Sequence, residues 1–178
     1  MQKVETLQSG KVYHIYNRGI NNGDLFFEAG NYEYFLKLYE NHISPIANTY
    51  AWCLMKNHFH FLVQIKEDTP KAPHQGFSNL FNAYTKAVNK KYNRNSSLFQ
   101  RQFKRKLVSD ETYLKNLILY IHNNPVNHRI CEHPMEYAWS SYLANCLDKD
   151  TNLKKTEAID LFNDVENFKT SHKLNSEI

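Results

Sequence analysis

His58 and His60 stand two residues apart in the stretch Met55-Lys56-Asn57-His58-Phe59-His60-Phe61-Leu62-Val63. On a β-strand, successive side chains point to opposite faces. Both imidazoles then project from one face, with Phe59, Phe61 and Val63 on the other. Two imidazoles at this spacing on a stiff strand can grip one divalent ion. His-x-His alone is weak evidence, because buried histidines are often merely hydrogen-bonded. A second group of residues some sixty positions on strengthens it.

That group lies on a helix expected from Asp110 to about Asn123. Leu114, Leu117, Ile118 and Ile121 form its apolar stripe, and Tyr113, Tyr120 and Asn124 lie on the flank. Tyr120 and Asn124 are four residues apart and so are neighbours on a helix. An ordinary amphipathic Tyr followed by a C-capping Asn would look the same. With the histidines, a phosphoryl-transfer chemistry becomes available. An ion on His58 and His60 would polarise a non-bridging phosphate oxygen, Asn124 could complete its shell, and Tyr120 would attack phosphorus. A phenolate, with a pKa of about 10 in solution, is a better leaving group than an alkoxide, so the bond can reverse. Two imidazoles plus an amide oxygen, with open positions, suit Mg²⁺ or Mn²⁺. Structural Zn²⁺ would need a fourth protein ligand.

The elements that must position these residues follow from periodicity and turn chemistry. Lys11 to Arg18 reads as a first strand stopped by Gly19, after a polar lead-in over residues 1–10. Asn31 is the expected cap of a helix running to about Ile43 and closed by Pro45. Thr49 to Met55 is a second strand, and Lys56-Asn57 connects it as a hairpin to the histidine strand. Residues 67–76 form a loop. Phe77, Leu80, Phe81, Tyr84 and Val88 then mark a helix ending near Tyr92. Leu98 to Val108 reads as a fourth strand, and Ser109 caps the tyrosine helix, which Pro125 stops. Tyr137 to Leu143 has helical or turn character, and residues 156–168 suit a last helix. Strand, helix, strand, strand, helix, strand predicts an α+β fold, a ferredoxin-like βαββαβ sandwich. The extra, tyrosine-bearing helix is expected beside its antiparallel sheet. One domain is expected, with a core over about 11–143 and a helical tail over about 144–178.

Composition is consistent with a folded chain that meets a polyanion. Hydrophobic residues make up 42% and aromatic residues 14% of the 178 positions, which excludes disorder. The net charge is +4 and the pI about 8.8, a mildly basic balance. Arg101, Lys104, Arg105 and Lys106 interleave with Phe99 and Phe103, and Lys86, Lys90, Lys91 and Arg94 crowd the end of the preceding helix. Together they could form one positive face for backbone neutralisation and base stacking, although solvated charge runs read alike. Cys53, Cys131 and Cys146 lack metal-ligand spacing and read as free thiols of a reducing cytosol. No apolar run reaches the ~18 residues of a membrane helix, and no signal peptide is evident. A cytoplasmic protein without a membrane partner is expected.

At this point the residues resemble a family. The motifs are YHIYNRG (Tyr13 to Gly19), MKNHFHFLVQ (Met55 to Gln64), LFQRQFK (Leu98 to Lys104), YIHNNPVN (Tyr120 to Asn127) and WSSY (Trp139 to Tyr142). The sequence is similar to the single-tyrosine HUH transposases, and most similar to the REP-associated tyrosine transposases. The resemblance covers about residues 11–143. It implies a ferredoxin-like fold, single-stranded DNA substrates with hairpins, and cleavage that leaves a 5′-phosphotyrosine and a free 3′-OH. It implies His58, His60 and Asn124 as metal ligands and Tyr120 as nucleophile; Arg18, at the end of the first strand, is counted with the expected DNA-binding residues. Many relatives carry Gln at the position of Asn124. The family commonly reads Asn-Pro-Val-Arg-Ala-Gly, and here Asn127-His128-Arg129 replaces the end of that motif. The resemblance favours a monomer acting in cis over a dimer. The alternative function is a non-catalytic or domesticated binder of single-stranded nucleic acid, such as a ferredoxin-like RNA-binding module.

Overall fold

The computed structural model describes residues 5–174. Four strands form an antiparallel sheet: β1 (Val12–Arg18), β2 (Ala47–Met55), β3 (His58–Ile65) and β4 (Lys104–Leu107), in the order β2-β3-β1-β4. With α1 (Ala29–His42) between β1 and β2 and α2 (Pro73–Lys91) between β3 and β4, this is the expected ferredoxin-like βαββαβ sandwich. The hairpin also forms as expected. Met55 pairs with His58 across Lys56 and Asn57.

Each face of the sheet buries its own core, because β3 is apolar on both faces. Phe59, Phe61 and Val63 pack with Tyr13 and Ile15 of β1 under α1 and α2, against Phe35, Phe77, Leu80, Phe81 and Tyr84. Leu62 leaves the other face, beside the histidines, and meets Leu117, Ile118 and Ile121 of α3 (Glu111–His122). The tyrosine helix therefore lies on the sheet face opposite α1 and α2 rather than beside the sheet. After the short turn α4 (Asn124–Asn127), three further helices complete that layer: α5 (Tyr142–Cys146), α6 (Lys155–Asp160) and α7 (Val165–Leu174). They contribute Tyr142, Ile159, Phe162 and Phe168 to the second core.

Several boundaries differ from expectation. The lead-in is anchored from Glu5 onward: Leu7 is buried, and the Tyr13 hydroxyl accepts from the Gln8 N–H and donates to the Thr6 carbonyl. Residues 1–4 of it lie outside the described residues. α1 starts at Ala29 after Glu28. Asn31 instead accepts hydrogen bonds from the Phe27 N–H and the Tyr92 hydroxyl. α2 begins at Pro73, inside the expected loop, because proline suits the first turn of a helix. Asp110, not Ser109, caps α3 by accepting from the Tyr113 N–H. The single last helix expected over residues 156–168 is two, α6 and α7.

The largest departure concerns the fourth strand. Regular pairing is confined to Lys104–Leu107, and before it the chain makes an isolated bridge between Phe99 and Gly19. Phe99 and Phe103, four residues apart, both turn inward against Phe77 and Phe81. Each is only 8% exposed, so neither offers a ring face to a base. Gln102 takes a left-handed conformation (φ 56°), which interrupts the extended chain just before Lys104.

Candidate active site

The antiparallel register assembles the histidines. Tyr16 of β1 faces His60, and Arg18 faces His58. His58 and His60 are 7% and 6% exposed, and their rings stand edge to face with centroids 5.2 Å apart. They occupy the same sheet face, as the strand alternation requires.

Asn124 reaches them from the far side. α3 ends at His122, Asn123 takes a bridge-region conformation (φ −83°, ψ 0°), and the chain turns once more through α4 with Pro125 in its first turn. The expected stop is thus a one-residue interruption followed by a new turn. Asn127 and His128 donate their N–H groups to the Asn123 and Asn124 carbonyls. This swings the Asn124 carboxamide, 2% exposed, onto the histidines. Its Oδ1 lies 2.9 Å from His58 Nε2 and its Nδ2 lies 3.4 Å from His60 Nε2.

The protonation pattern here is constrained. His58 Nδ1 is 2.8 Å from Asn57 Oδ1 and Nε2 is 2.9 Å from Asn124 Oδ1, and a neutral ring has one proton for these two acceptors. Burial holds the His58 pKa below its usual value, and in the tautomer protonated on Nδ1 the Nε2 atom keeps a lone pair. That lone pair faces the Asn124 carbonyl oxygen, acceptor against acceptor. A cation between them converts the repulsion into coordination. The donor set of two imidazoles and an amide oxygen therefore fits a divalent ion. Among the described residues no group of three or more His, Cys, Asp or Glu comes together to hold a metal, and the third donor within reach of the two histidines is the Asn124 amide.

His60 has a partner that the sequence did not announce. Its Nδ1 is 2.9 Å from Nε2 of His14, one strand over on the same face. Both histidines are held neutral: burial, then the neighbouring His14, drives His60 well below its usual pKa. Burial and Lys106 bring His14 to about 4. This pairing fixes the His60 ring and leaves Nε2 directed at the site. His14 lies on the expected first strand with the parity of Tyr16 and Arg18. The missing information was the register. His128, in the stretch that departs from the family ending, brings its ring to 5.1 Å from His58.

Tyr120 stands over the rim. It is 46% exposed, with its ring edge-on to His60 at 5.4 Å and to His14 at 6.3 Å between centroids. Tyr113, two turns away, carries Lys106 over its ring at 4.9 Å. Below the rim, Tyr16, Arg18, Gln100 and Lys104 line a cavity of about 260 Å³ with the two histidines.

The basic residues do not form one surface. β4 alternates, so Lys104 and Lys106 pair with Tyr16 and His14 on the histidine face, whereas Arg105 pairs with Ile15 on the α2 face. Arg105 lies 4.1 Å over the Phe103 ring. Lys86, Lys90, Lys91 and Arg94 belong to α2 and the turn after it, across the sheet from Tyr120. Lys91 is engaged by Glu28, and Arg94 lies 5.8 Å over Phe27. Arg101 is exposed on the segment before β4.

Residues 13–124 match the family model of the IS200-like transposases. The chain belongs to this family. The matched region encloses His58, His60 and Tyr120 and ends at Asn124, leaving α5, α6 and α7 outside it. A REP-associated tyrosine transposase of Haemophilus influenzae is 29% identical over 103 residues, which cover 53% of this chain and 58% of that relative. The match thus spans less than two thirds of the relative's length. Among solved structures, a REP-associated tyrosine transposase bound to a REP hairpin superimposes with a TM-score of 0.65 at 13% identity. That alignment covers 82% of this chain and 84% of the other. This likeness shows the shared ferredoxin-like fold.

Proposed function

We propose that this chain is a metal-dependent endonuclease and strand transferase acting on single-stranded DNA that carries a hairpin. The observation that carries the reading is the convergence of His58 Nε2 and Asn124 Oδ1, 2.9 Å apart, one helical turn from Tyr120. His58, His60 and Asn124 would hold Mg²⁺ or Mn²⁺, and that ion supplies Lewis-acid stabilisation of charge on a non-bridging phosphate oxygen. The hairpin partner is the one named for the solved transposase of similar fold.

In this reading Tyr120 gives its phenolic proton to solvent, and its oxygen forms a bond to phosphorus. The bond from phosphorus to the 3′ oxygen breaks, and that oxygen takes a proton from water. The products are a 5′-phosphotyrosine and a free 3′-OH. Attack by another 3′-OH on the phosphotyrosine restores the phenol and joins the strands. His14 keeps the His60 ring in place, and Arg18 and Lys104 at the cavity wall draw the phosphate backbone toward it. The tyrosine serves its own subunit, a reading supported by its 5.4 Å approach to His60 of the same chain. A cytoplasmic monomer is the form proposed. No described helix is long and apolar enough to cross a membrane.

The test is denaturing electrophoresis of end-labelled hairpin-bearing strands after reaction with Mn²⁺ or Mg²⁺, with peptide mapping of the adduct. Tyr120→Phe should bind DNA and form no adduct, and Tyr113→Phe should form it. An adduct mapped elsewhere, or one that persists in Tyr120→Phe, rejects the assignment. Hairpin binding without cleavage by the wild-type chain would leave a binding protein instead.

A further inference from the structure

A second concavity opens on the other side of β1, between α2 and the segment that leads into β4. Its volume is about 420 Å³, within the ~300–1,000 Å³ of small-ligand sites. One wall is α2. Ser78, Asn82 and Thr85 follow one another at helical spacing along the flank of its buried stripe. No described residue hydrogen-bonds their side chains, so two hydroxyls and a carboxamide point donors and acceptors into the cleft unspent. The opposite wall carries Arg101 and Arg105. The Arg105 guanidinium is stacked on Phe103, and its Nε is buried without a partner among the described residues. Among the described residues no carboxylate lines the cleft, and the acidic group acting on Arg105 is Glu5.

Such a lining is suited to the edge of a nucleobase. Neutral amide and hydroxyl groups match its mixed donors and acceptors, and a guanidinium reads a purine edge or stacks on the ring. Phe99 and Phe103 form the floor without offering their faces. The cleft also adjoins the histidines: Asn17 and Gln100 line both concavities, and Asn17 Nδ2 donates to the Gln100 carbonyl at 3.2 Å. A strand whose phosphate lies at His58 and His60 has an adjacent nucleotide within reach of this opening.

We infer that the cleft between α2 and β4 receives one unpaired base next to the scissile phosphate and selects its identity. The inference rests on the reading of the histidine site as a single-stranded DNA site. It adds a protein-borne selection step at one position, set by Asn82, Thr85 and Arg105.

The experiment selects by binding, so that it does not depend on cleavage. Tyr120→Phe protein is equilibrated with a pool of hairpin strands randomised over the unpaired flank, and the bound fraction is sequenced. One flanking position should show enrichment of one base on the order of tenfold. In the Tyr120→Phe background, Asn82→Leu with Thr85→Val should bring that enrichment close to one and leave other positions as they were. Ser78→Ala alone gives a milder version if the double variant is unstable. No enrichment at any flanking position, or enrichment unchanged in both variants, overturns the inference. Failure of the wild-type chain to form a tyrosine adduct would reject the nuclease reading while leaving the base-selection result standing on its own.

Discussion

His122 Nδ1 and His172 Nε2 meet at 3.0 Å in the interior, joining the end of the tyrosine helix to α7. The pair sits in a closed network. His122 Nε2 contacts Ser141 Oγ at 2.8 Å, and Ser141 Oγ accepts from the Trp52 N–H of β2. His172 Nδ1 donates to the Phe168 carbonyl, and the His172 carbonyl accepts from Asn123 Nδ2. Both rings are fully buried. Tyr120 lies two residues before His122, and Asn124 directly follows Asn123.

Removing His172 should therefore loosen the site from a distance. His172→Ala leaves His122 Nδ1 short of its partner and opens a cavity in a dry interior, where a lost bond costs about 1–3 kcal/mol, while the Asn123 bond to the backbone carbonyl of residue 172 is kept. We expect a loss of about 2–4 kcal/mol in denaturant unfolding, with slower adduct formation at Tyr120. His172→Gln should recover part of both. Unchanged unfolding in the alanine variant would show that the network adds nothing.

Acid should unfold the protein through its histidines. His14 and His172 have their pKa lowered to about 4, and His122 and His60 are driven well below the usual value. Desolvation by burial is the first cause in each. Near pH 7 these groups are neutral in both states and cost nothing. As the pH drops below about 6.5 the unfolded chain takes up protons that the native rings refuse, so stability falls as the pH falls, by up to about 3 kcal/mol each for His14 and His172 between 6.5 and 4. Chemical denaturation at pH 7.5 and pH 5 measures it. Equal midpoints would contradict the burial of these rings.

The His14 contact predicts a graded effect on metal binding. His58→Ala should abolish Mn²⁺- or Mg²⁺-dependent cleavage with the fold intact. His14→Phe keeps both ligands and loses the group that orients His60, so metal affinity should drop about 10–100-fold. Titrating Mn²⁺ into the cleavage reaction reads this as a shift in half-saturation. A wild-type titration curve for His14→Phe would remove His14 from the site.

Salt separates the two groups of cations. Lys104 lines the histidine cavity, whereas Lys91 is engaged by Glu28 on the far layer. Lys104→Ala should lower hairpin affinity and reduce the slope of log K against log salt by about one. Lys91→Ala should leave the slope as it is. The opposite result would move the DNA path to α2.

The fold was legible because its signals are local. Alternation placed His58 and His60 on one face, and Lys56-Asn57 specified the hairpin. Pro73 was a helix-start signal that the loop reading of residues 67–76 passed over. Phe99 and Phe103 misled because aromatic, basic alternation describes a nucleic-acid surface and a buried irregular segment equally well. His14 and His172 were out of reach for a different reason. Each matters through a partner forty or more residues away, and a register or a helix docking has to exist before such a pair can be seen.

The closure of β2 has a consequence for how copies of this chain meet. Along its outer margin the Trp52 N–H and carbonyl are taken by Ser141, the Leu54 N–H by the Trp139 carbonyl, and the Thr49 carbonyl by the Lys154 N–H. Tyr137 donates its hydroxyl to the Leu54 carbonyl. The chain has laid its own strap over the side where a neighbour's strand would add on. The other margin is β4, four residues bearing Lys104 and Lys106, too short and too charged to template a long ribbon. Both margins of the sheet are thereby guarded against edge-to-edge pairing with another copy of the chain.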